Sequence, residues 1–191
     1  MRMDGTHRRL VRKLIGWINT LSWSPVSEQL VYLDLPGTRR PSSDPYELWS
    51  LNSDGTGERL LARGQVYGPT WSPDGRHVAF VQADNLDLYF SDWRRLGTNI
   101  YVADTITGQI TRLSSFEGRS NHSPTWSPDG KFVAFVSVIP AGEPEMYSPG
   151  PVYVDVWVAS VDGSQLFALS GTAGWSSPLA WLVGQPATPE K

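Results

Sequence analysis

Two carboxylates in identical settings are the first candidates for chemistry in this chain. Asp74 and Asp129 each stand in the sequence Trp-Ser-Pro-Asp-Gly. Paired carboxylates could serve in catalysis or bind calcium, but the chain contains no Asp-x-Asp-x-Asp-Gly loop of the calcium-binding type. A proline before and a glycine after the aspartate are what a tight turn requires. We therefore predict that both aspartates shape turns.

The histidines and serines offer no catalytic arrangement. His7, His77 and His122 share no metal-ligand spacing. The sequence "GWSSP" at 174–178 has proline where a nucleophile elbow needs glycine, and no glycine-rich phosphate loop is present. The absence of cysteine excludes disulfides, thiolate zinc sites and thiol nucleophiles. The sequence thus predicts a protein without a catalytic centre, a metal or a cofactor.

Regularly spaced tryptophans explain why the carboxylates recur. Trp23, Trp71, Trp126 and Trp181 follow one another at intervals of 48, 55 and 55 residues, which is the period of propeller blades and similar arrays. The stretch "PTWSPDG" occurs twice, around the second and third of these tryptophans. We predict one structural unit in several copies, with the tryptophans packing one unit against the next.

Each copy of the unit contains the pattern of four short strands. Val78 and Phe80 lie seven and nine positions after Trp71, and the same spacing holds in the other two units. This is the two-residue period of a strand. A second apolar run follows, then a turn that carries Asp-Gly in two of the units, and then an outer run. Asp-Gly between apolar runs predicts a hairpin.

The predicted fold class is all-β: a β-propeller with three complete four-stranded antiparallel blades and a partial blade made from the two termini. A β-sandwich is the alternative, but its strands would not recur as near copies. Three blades do not close a ring, so we interpret the chain as an incomplete ring and as the C-terminal part of a larger propeller. The predicted boundaries are blades at 17–63, 64–115 and 120–170, a partial blade from 4–12 with 175–183, a propeller region of 1–185 and a polar tail at 186–191.

The pattern "PTWSPDG", followed by "VAFV", by a run such as "IYVA" and by a glycine-containing turn, resembles the TolB-like propeller repeat. The resemblance covers essentially the whole chain, although Val26 stands where the first unit should have its turn aspartate. It implies a bacterial, often periplasmic protein with a six-bladed propeller that serves as an interaction module. The same repeat also forms the propeller of prolyl-oligopeptidase-type serine peptidases. The basic N-terminal segment lacks a small-residue cleavage site, so we do not interpret it as a signal peptide.

Long connections between the second and third strands, together with those from an outer strand to the next inner strand, emerge at one face of such a propeller. This long-loop face collects aromatic residues and arginines, a composition typical of recognition hot spots. The predicted binding residues are Arg39, Arg40, Tyr67, Tyr89, Trp93, Arg94, Arg95, Arg119, Asn121, His122, Tyr147 and Trp175.

The predicted function is that of a non-enzymatic scaffold that binds a protein or peptide through the long-loop face. The alternative is the non-catalytic propeller portion of a hydrolase such as a prolyl-oligopeptidase-type peptidase. A net charge of −3 gives no reason to expect nucleic acid as a partner. No run approaches the roughly 20 apolar residues of a membrane helix. A second copy, or the remaining blades of a longer chain, would cover the apolar faces that an open propeller exposes.

Overall fold

The computed structural model describes residues 10–11, 16–36, 45–83, 97–116, 118–140, 152–173 and 181. Within these residues the chain forms twelve β-strands and no helix. Most of the predicted partial blade (4–12 with 175–183) and the whole predicted tail (186–191) lie outside the described residues, so the proposed boundaries stay a prediction.

Consecutive strands form three antiparallel blades of four strands each, which confirms the predicted all-β propeller architecture. Blade 1 comprises β1 (Gly16–Trp23), β2 (Gln29–Pro36), β3 (Tyr46–Asn52) and β4 (Arg59–Gly64). Blade 2 comprises β5 (Val66–Trp71), β6 (His77–Ala83), β7 (Thr98–Asp104) and β8 (Ile110–Arg112). Blade 3 comprises β9 (Ser120–Trp126), β10 (Phe132–Pro140), β11 (Val152–Ser160) and β12 (Leu166–Ala173). Each inner strand ends at its repeat tryptophan, as the spacing predicts.

The apolar core lies between the blades. Successive side chains of a strand point to opposite faces of its sheet, so neighbouring residues of β6 pack against different blades. Val78 and Phe80 pack with blade 1, whereas Ala79 and Val81 pack with blade 3. Because β6 is covered on both faces, its sequence is a continuous apolar run rather than an alternating one.

Hydrogen bonds from three of the four repeat tryptophans run back to the preceding unit and tie the units together. The acceptor is always the backbone carbonyl of the residue just before the preceding repeat tryptophan. The three bonds run from Trp71 Nε1 to Ser22 O at 3.1 Å, from Trp126 Nε1 to Thr70 O at 3.0 Å and from Trp181 Nε1 to Thr125 O at 3.2 Å. We call these the indole bridges.

Trp23 departs from the packing role that the repeat predicts for it. Trp71 and Trp126 are 6% and 7% exposed, whereas Trp23 is 54% exposed. Its strand neighbour Leu21 is also exposed, at 53%. The cause is positional, because the described part of the chain places no blade in front of blade 1.

The repeated aspartates build turns, as predicted. Asp74 Oδ1 accepts hydrogen bonds from the Ser72 hydroxyl and, at 3.0 Å, from the backbone N–H of Arg76. Asp129 Oδ1 does the same with Ser127 and Lys131, at 2.6 and 3.1 Å. The glycine after each aspartate has a positive φ, +67° at Gly75 and +70° at Gly130, which a side chain would resist.

Candidate binding face

Four of the twelve predicted binding residues belong to the described part of the chain: Tyr67, Arg119, Asn121 and His122. From the sequence we expected all four in connections between blades. The structure corrects this for three of them, because Tyr67 lies on β5 and both Asn121 and His122 lie on β9. The other eight lie outside the described residues: Arg39, Arg40, Tyr89, Trp93, Arg94, Arg95, Tyr147 and Trp175.

Arg119 is held in a clamp on blade 3. Its Nη1 lies 2.9 Å from Asp155 Oδ2 on β11. Its guanidinium carbon lies 5.0 Å from the ring centroid of Phe116 and 6.0 Å from that of Trp157, and the two rings are 4.7 Å apart. A planar guanidinium suits both an ion pair and aromatic stacking. Arg119 therefore fastens the β8–β9 connection to blade 3, with a quarter of its side chain still exposed.

Asn121 is fully buried and joins β9 to β7. Its backbone N–H donates to Thr98 Oγ1 at 2.8 Å, the same hydroxyl donates to Asn121 O at 2.7 Å, and Asn121 Nδ2 donates to Thr98 O at 2.6 Å. These bonds surround a parallel pairing of Thr98 with Ser120 that connects blades 2 and 3. Asn121 is thus a structural link and offers no exposed surface to a partner.

Three buried polar atoms near Asn121 have no hydrogen-bond partner among the described residues: Asn121 Oδ1, Ser137 Oγ and Trp157 Nε1. Ser137 pairs with Asn121 on one side and with Asp155 on the other, so Asn121, Ser137 and Asp155 form one row across the blade. A buried polar atom without a partner costs about 1–3 kcal/mol, and native proteins contain few of them. All three belong to blade 3, on the strands next to the Arg119 clamp.

His122 stands at a strained corner of the backbone. The residue after it, Ser123, has φ +55°, and it is the one non-glycine residue with a positive φ in the described ranges. Ser123 Oγ lies 3.1 Å from Nδ1 of the exposed His122 ring. The residue is exposed, but the part of the ring that the chain shields from water disfavours the charged form and lowers the pKa of His122 below its ordinary value. A neutral imidazole can both donate and accept a hydrogen bond.

The same repeat position in blade 2 is free of this strain. Tyr67 corresponds to His122, and Gly68, with φ +53°, corresponds to Ser123. Glycine adopts this conformation without penalty, while a residue with a Cβ pays about 1–2 kcal/mol. The Tyr67 hydroxyl donates to Gln65 Oε1 at 2.8 Å. Blade 3 therefore tolerates a strained serine whose hydroxyl contacts the histidine.

Comparison with known proteins identifies the repeat. No family model matches the chain. It is 37% identical over 97 residues to the Tol-Pal system protein TolB of Alcanivorax borkumensis, an alignment that covers 50% of this chain and 20% of that protein. A TolB-type structure from Agrobacterium tumefaciens superposes with a TM-score of 0.55 and 22% identity, over 87% of this chain and 53% of the other. The chain has the β-propeller fold, with blades similar in sequence to those of TolB.

A peptidase is also among the curated proteins that the chain resembles. Dipeptidyl-peptidase 5 of Porphyromonas gingivalis is 28% identical over 145 residues, which is 71% of this chain and 20% of that protein. The chain spans about a fifth of the length of these two curated relatives. The matches therefore concern the blades and not the whole proteins.

Sequence reasoning missed the partners of Arg119 in this TolB-like blade. Phe116 and Trp157 are aromatic residues of the kind that packs blades together, and Trp157 aligns with Tyr101 of blade 2. Asp155 gave a usable signal, because it interrupts the apolar run of β11. Across the described residues, no cluster of three or more histidines, aspartates and glutamates could hold a metal ion. None of the described segments forms a helix suited to spanning a membrane.

Proposed function

We propose that this chain is a non-enzymatic propeller scaffold that binds a protein or peptide through the long-loop face of blade 3. The observation that carries the proposal is the corner of His122 and Ser123. Backbone strain is kept where it serves a site, and here the strained serine places a hydroxyl 3.1 Å from the imidazole of an exposed histidine. Within the described residues, Asn121 Oδ1 and Ser137 Oγ on the neighbouring strands are buried without a hydrogen-bond partner, which also supports the proposal.

The Arg119 clamp gives this site the rigidity that recognition requires. Aromatic rings and a guanidinium that are already fixed lose little conformational entropy when a partner binds. The neutral His122 ring would exchange hydrogen bonds with the backbone of a bound peptide, and the exposed part of Arg119 would contact an acidic or carbonyl group. The Alcanivorax relative is named as a protein of the Tol-Pal system, so proteins of such a system are the first partners to test.

Binding to the purified proteins of a Tol-Pal system, measured by biolayer interferometry, tests the proposal. We expect His122→Ala to weaken binding about tenfold, the effect of losing one well-placed hydrogen bond and its contact area. Ser123→Gly should also weaken binding while leaving the fold intact, because it removes the hydroxymethyl group that contacts His122 and glycine adopts the positive φ without strain. Thr107→Ala, in the β7–β8 turn at the opposite end of blade 2, is the control and should bind like the unmodified chain. Absence of binding, or binding that neither His122→Ala nor Ser123→Gly changes, would refute the proposal.

A second candidate function is that of a non-catalytic propeller portion of a hydrolase. The likeness to dipeptidyl-peptidase 5 over 71% of the chain favours it. The gene that encodes the chain decides between the two. A Gly-x-Ser-x-Gly nucleophile elbow in a following domain would establish the hydrolase, and its absence from the complete gene would leave the scaffold.

A further inference from the structure

The outer strand of blade 3, the fourth strand of that blade, is longer than the outer strands of the other two blades. β12 has eight residues, whereas β4 has six and β8 has three. Its pairing with β11 extends from Leu166 to Ala173. Among the described residues, no strand pairs with the other edge of β12. The backbone N–H and C=O groups along that edge are therefore the longest such row on the three outer strands.

The outer strands of blades 1 and 2 carry arginines, and β12 carries no charge. β4 contains Arg59 and Arg63, and the side chain of Arg63 is 62% exposed. β8 consists of three residues and ends at the exposed Arg112. Short edge strands and charged side chains oppose pairing with a strand of another molecule. β12 reads "LFALSGTA", without charge or proline, so it lacks the protection that β4 and β8 have.

β12 also exposes apolar side chains. Leu166, Phe167 and Leu169 are 38%, 43% and 58% exposed. Leu61 and Leu113 occupy the repeat position of Leu169 in blades 1 and 2, and each is only 5% exposed because it packs in the core between two blades. An uncharged strand that combines an open edge with exposed apolar side chains is typical of strands that pair with another chain.

We propose that β12 pairs antiparallel with β12 of a second copy of this chain, so that two copies of blade 3 form one continuous sheet across a two-fold axis. The new hydrogen bonds continue the ladder that β12 already forms with β11.

The absence of charge is the reason why the partner is a second copy. In a two-fold antiparallel pair, each strand faces its own sequence, and like charges directly opposite each other are destabilising. A strand such as β4 would bring arginines towards arginines, whereas β12 brings only apolar and small polar side chains together. A two-fold contact uses the same edge of both copies, so association ends at the dimer.

Size-exclusion chromatography with light scattering on the full chain tests the proposal. We expect a dimer at about 100 µM that dissociates on dilution. Leu169→Lys introduces two like charges into the pair and should raise the dissociation constant at least about tenfold. Leu60→Lys is the matched control, because Leu60 lies on the outer strand of blade 1 and is 43% exposed; its dimer should persist.

Three results of this experiment would overturn the proposal. The first is a monomer at about 500 µM, a concentration at which even a weak dimer would be populated. The second is a dimer that folded Leu169→Lys leaves unchanged. The third is a dimer that Trp23→Lys dissociates and Leu169→Lys does not, because the contact would then lie on the exposed face of blade 1.

Single cysteines locate the axis, since the chain contains no cysteine of its own. One cysteine is placed at each position of β12 in turn and oxidised. Only residues beside a two-fold axis lie opposite their own copy, at about 5.5 Å between Cα atoms, within reach of a disulfide. Two residues further along, the Cα atoms are about 13 Å apart and cannot be joined.

Cross-linking should therefore peak at one or two neighbouring positions of β12 and fall to background two residues away. Ile110→Cys, on the outer strand of blade 2 and 44% exposed in the unmodified chain, is the control and should not cross-link. Uniform cross-linking along β12, none at any of its positions, or as much in Ile110→Cys would overturn the proposal.

Discussion

The contrast between two tryptophans at the same repeat position provides a quantitative test of blade packing. Trp126 is 7% exposed and donates an indole bridge to Thr70 O at 3.0 Å. Trp23 occupies the corresponding end of β1 and is 54% exposed. Replacing each by alanine removes the same atoms from two different environments.

The expected losses of stability follow from burial. Truncation of a buried tryptophan to alanine costs about 3–5 kcal/mol, and Trp126 should lie near the middle of this range. Of that loss, about 1 kcal/mol belongs to the indole bridge, because Thr70 O loses its donor. Less than half of the Trp23 surface is buried, so Trp23→Ala should cost about 1.5–2 kcal/mol. The two variants should therefore differ by about 2 kcal/mol.

Equilibrium unfolding in urea, followed by circular dichroism, measures both values. Trp126→Phe serves as the control that separates packing from hydrogen bonding, and it should cost about 1 kcal/mol for the lost N–H plus a smaller packing term. Equal destabilisation by Trp126→Ala and Trp23→Ala would show that the face of blade 1 is covered as fully as the blade junctions. Our account of Trp23 would then be wrong.

Three further predictions concern single residues. Ser123→Gly should raise the free energy of unfolding by about 1 kcal/mol in urea, because glycine adopts the positive φ without strain; a loss of stability would refute the strain. Arg119→Met should lower it by about 1–2 kcal/mol, because Asp155 loses its donor, and Asp155→Asn combined with it should add little further loss if the two act as a pair. Burial acts to raise the pKa of Asp104, but hydrogen bonds from the backbone N–H groups of the turn and from the arginine beside it lower the value from 3.8 to about 2. A depressed folded pKa means that the charged form stabilises the fold above about pH 4 and that this stability is lost as the pH falls towards 2. Asp104→Asn should therefore flatten the acid limb of a curve of unfolding free energy against pH. An unchanged limb would contradict the assignment.

The architecture was open to prediction because its signals are local. Alternating apolar residues, a turn aspartate followed by glycine, and a tryptophan at the end of each inner strand all act within a few residues of one another. The four-stranded blades and the ends of β1, β5 and β9 follow from them directly. A repeated sequence strengthens each signal, since the same pattern appears in more than one copy.

The candidate site was only partly open to prediction, and Asn121 shows why. Its position between an arginine and a histidine suggests an exposed recognition loop, yet it is fully buried on β9. The hydrogen bonds that satisfy its polar groups come from Thr98, 23 residues earlier in the chain. A polar residue is buried when a distant partner satisfies it, and the identity of that partner is not written in the neighbouring sequence.

The sequence by itself thus determines the order of the strands, the turns between them and the place of each tryptophan at the end of an inner strand. Each of these depends on backbone geometry and side-chain periodicity within one blade. The role of each copy is settled by its neighbours in space. Trp126 is buried and Trp23 exposed because, among the described residues, one faces a preceding blade and the other does not. Arg119 is clamped because Asp155, 36 residues away, lies on a strand of the same blade.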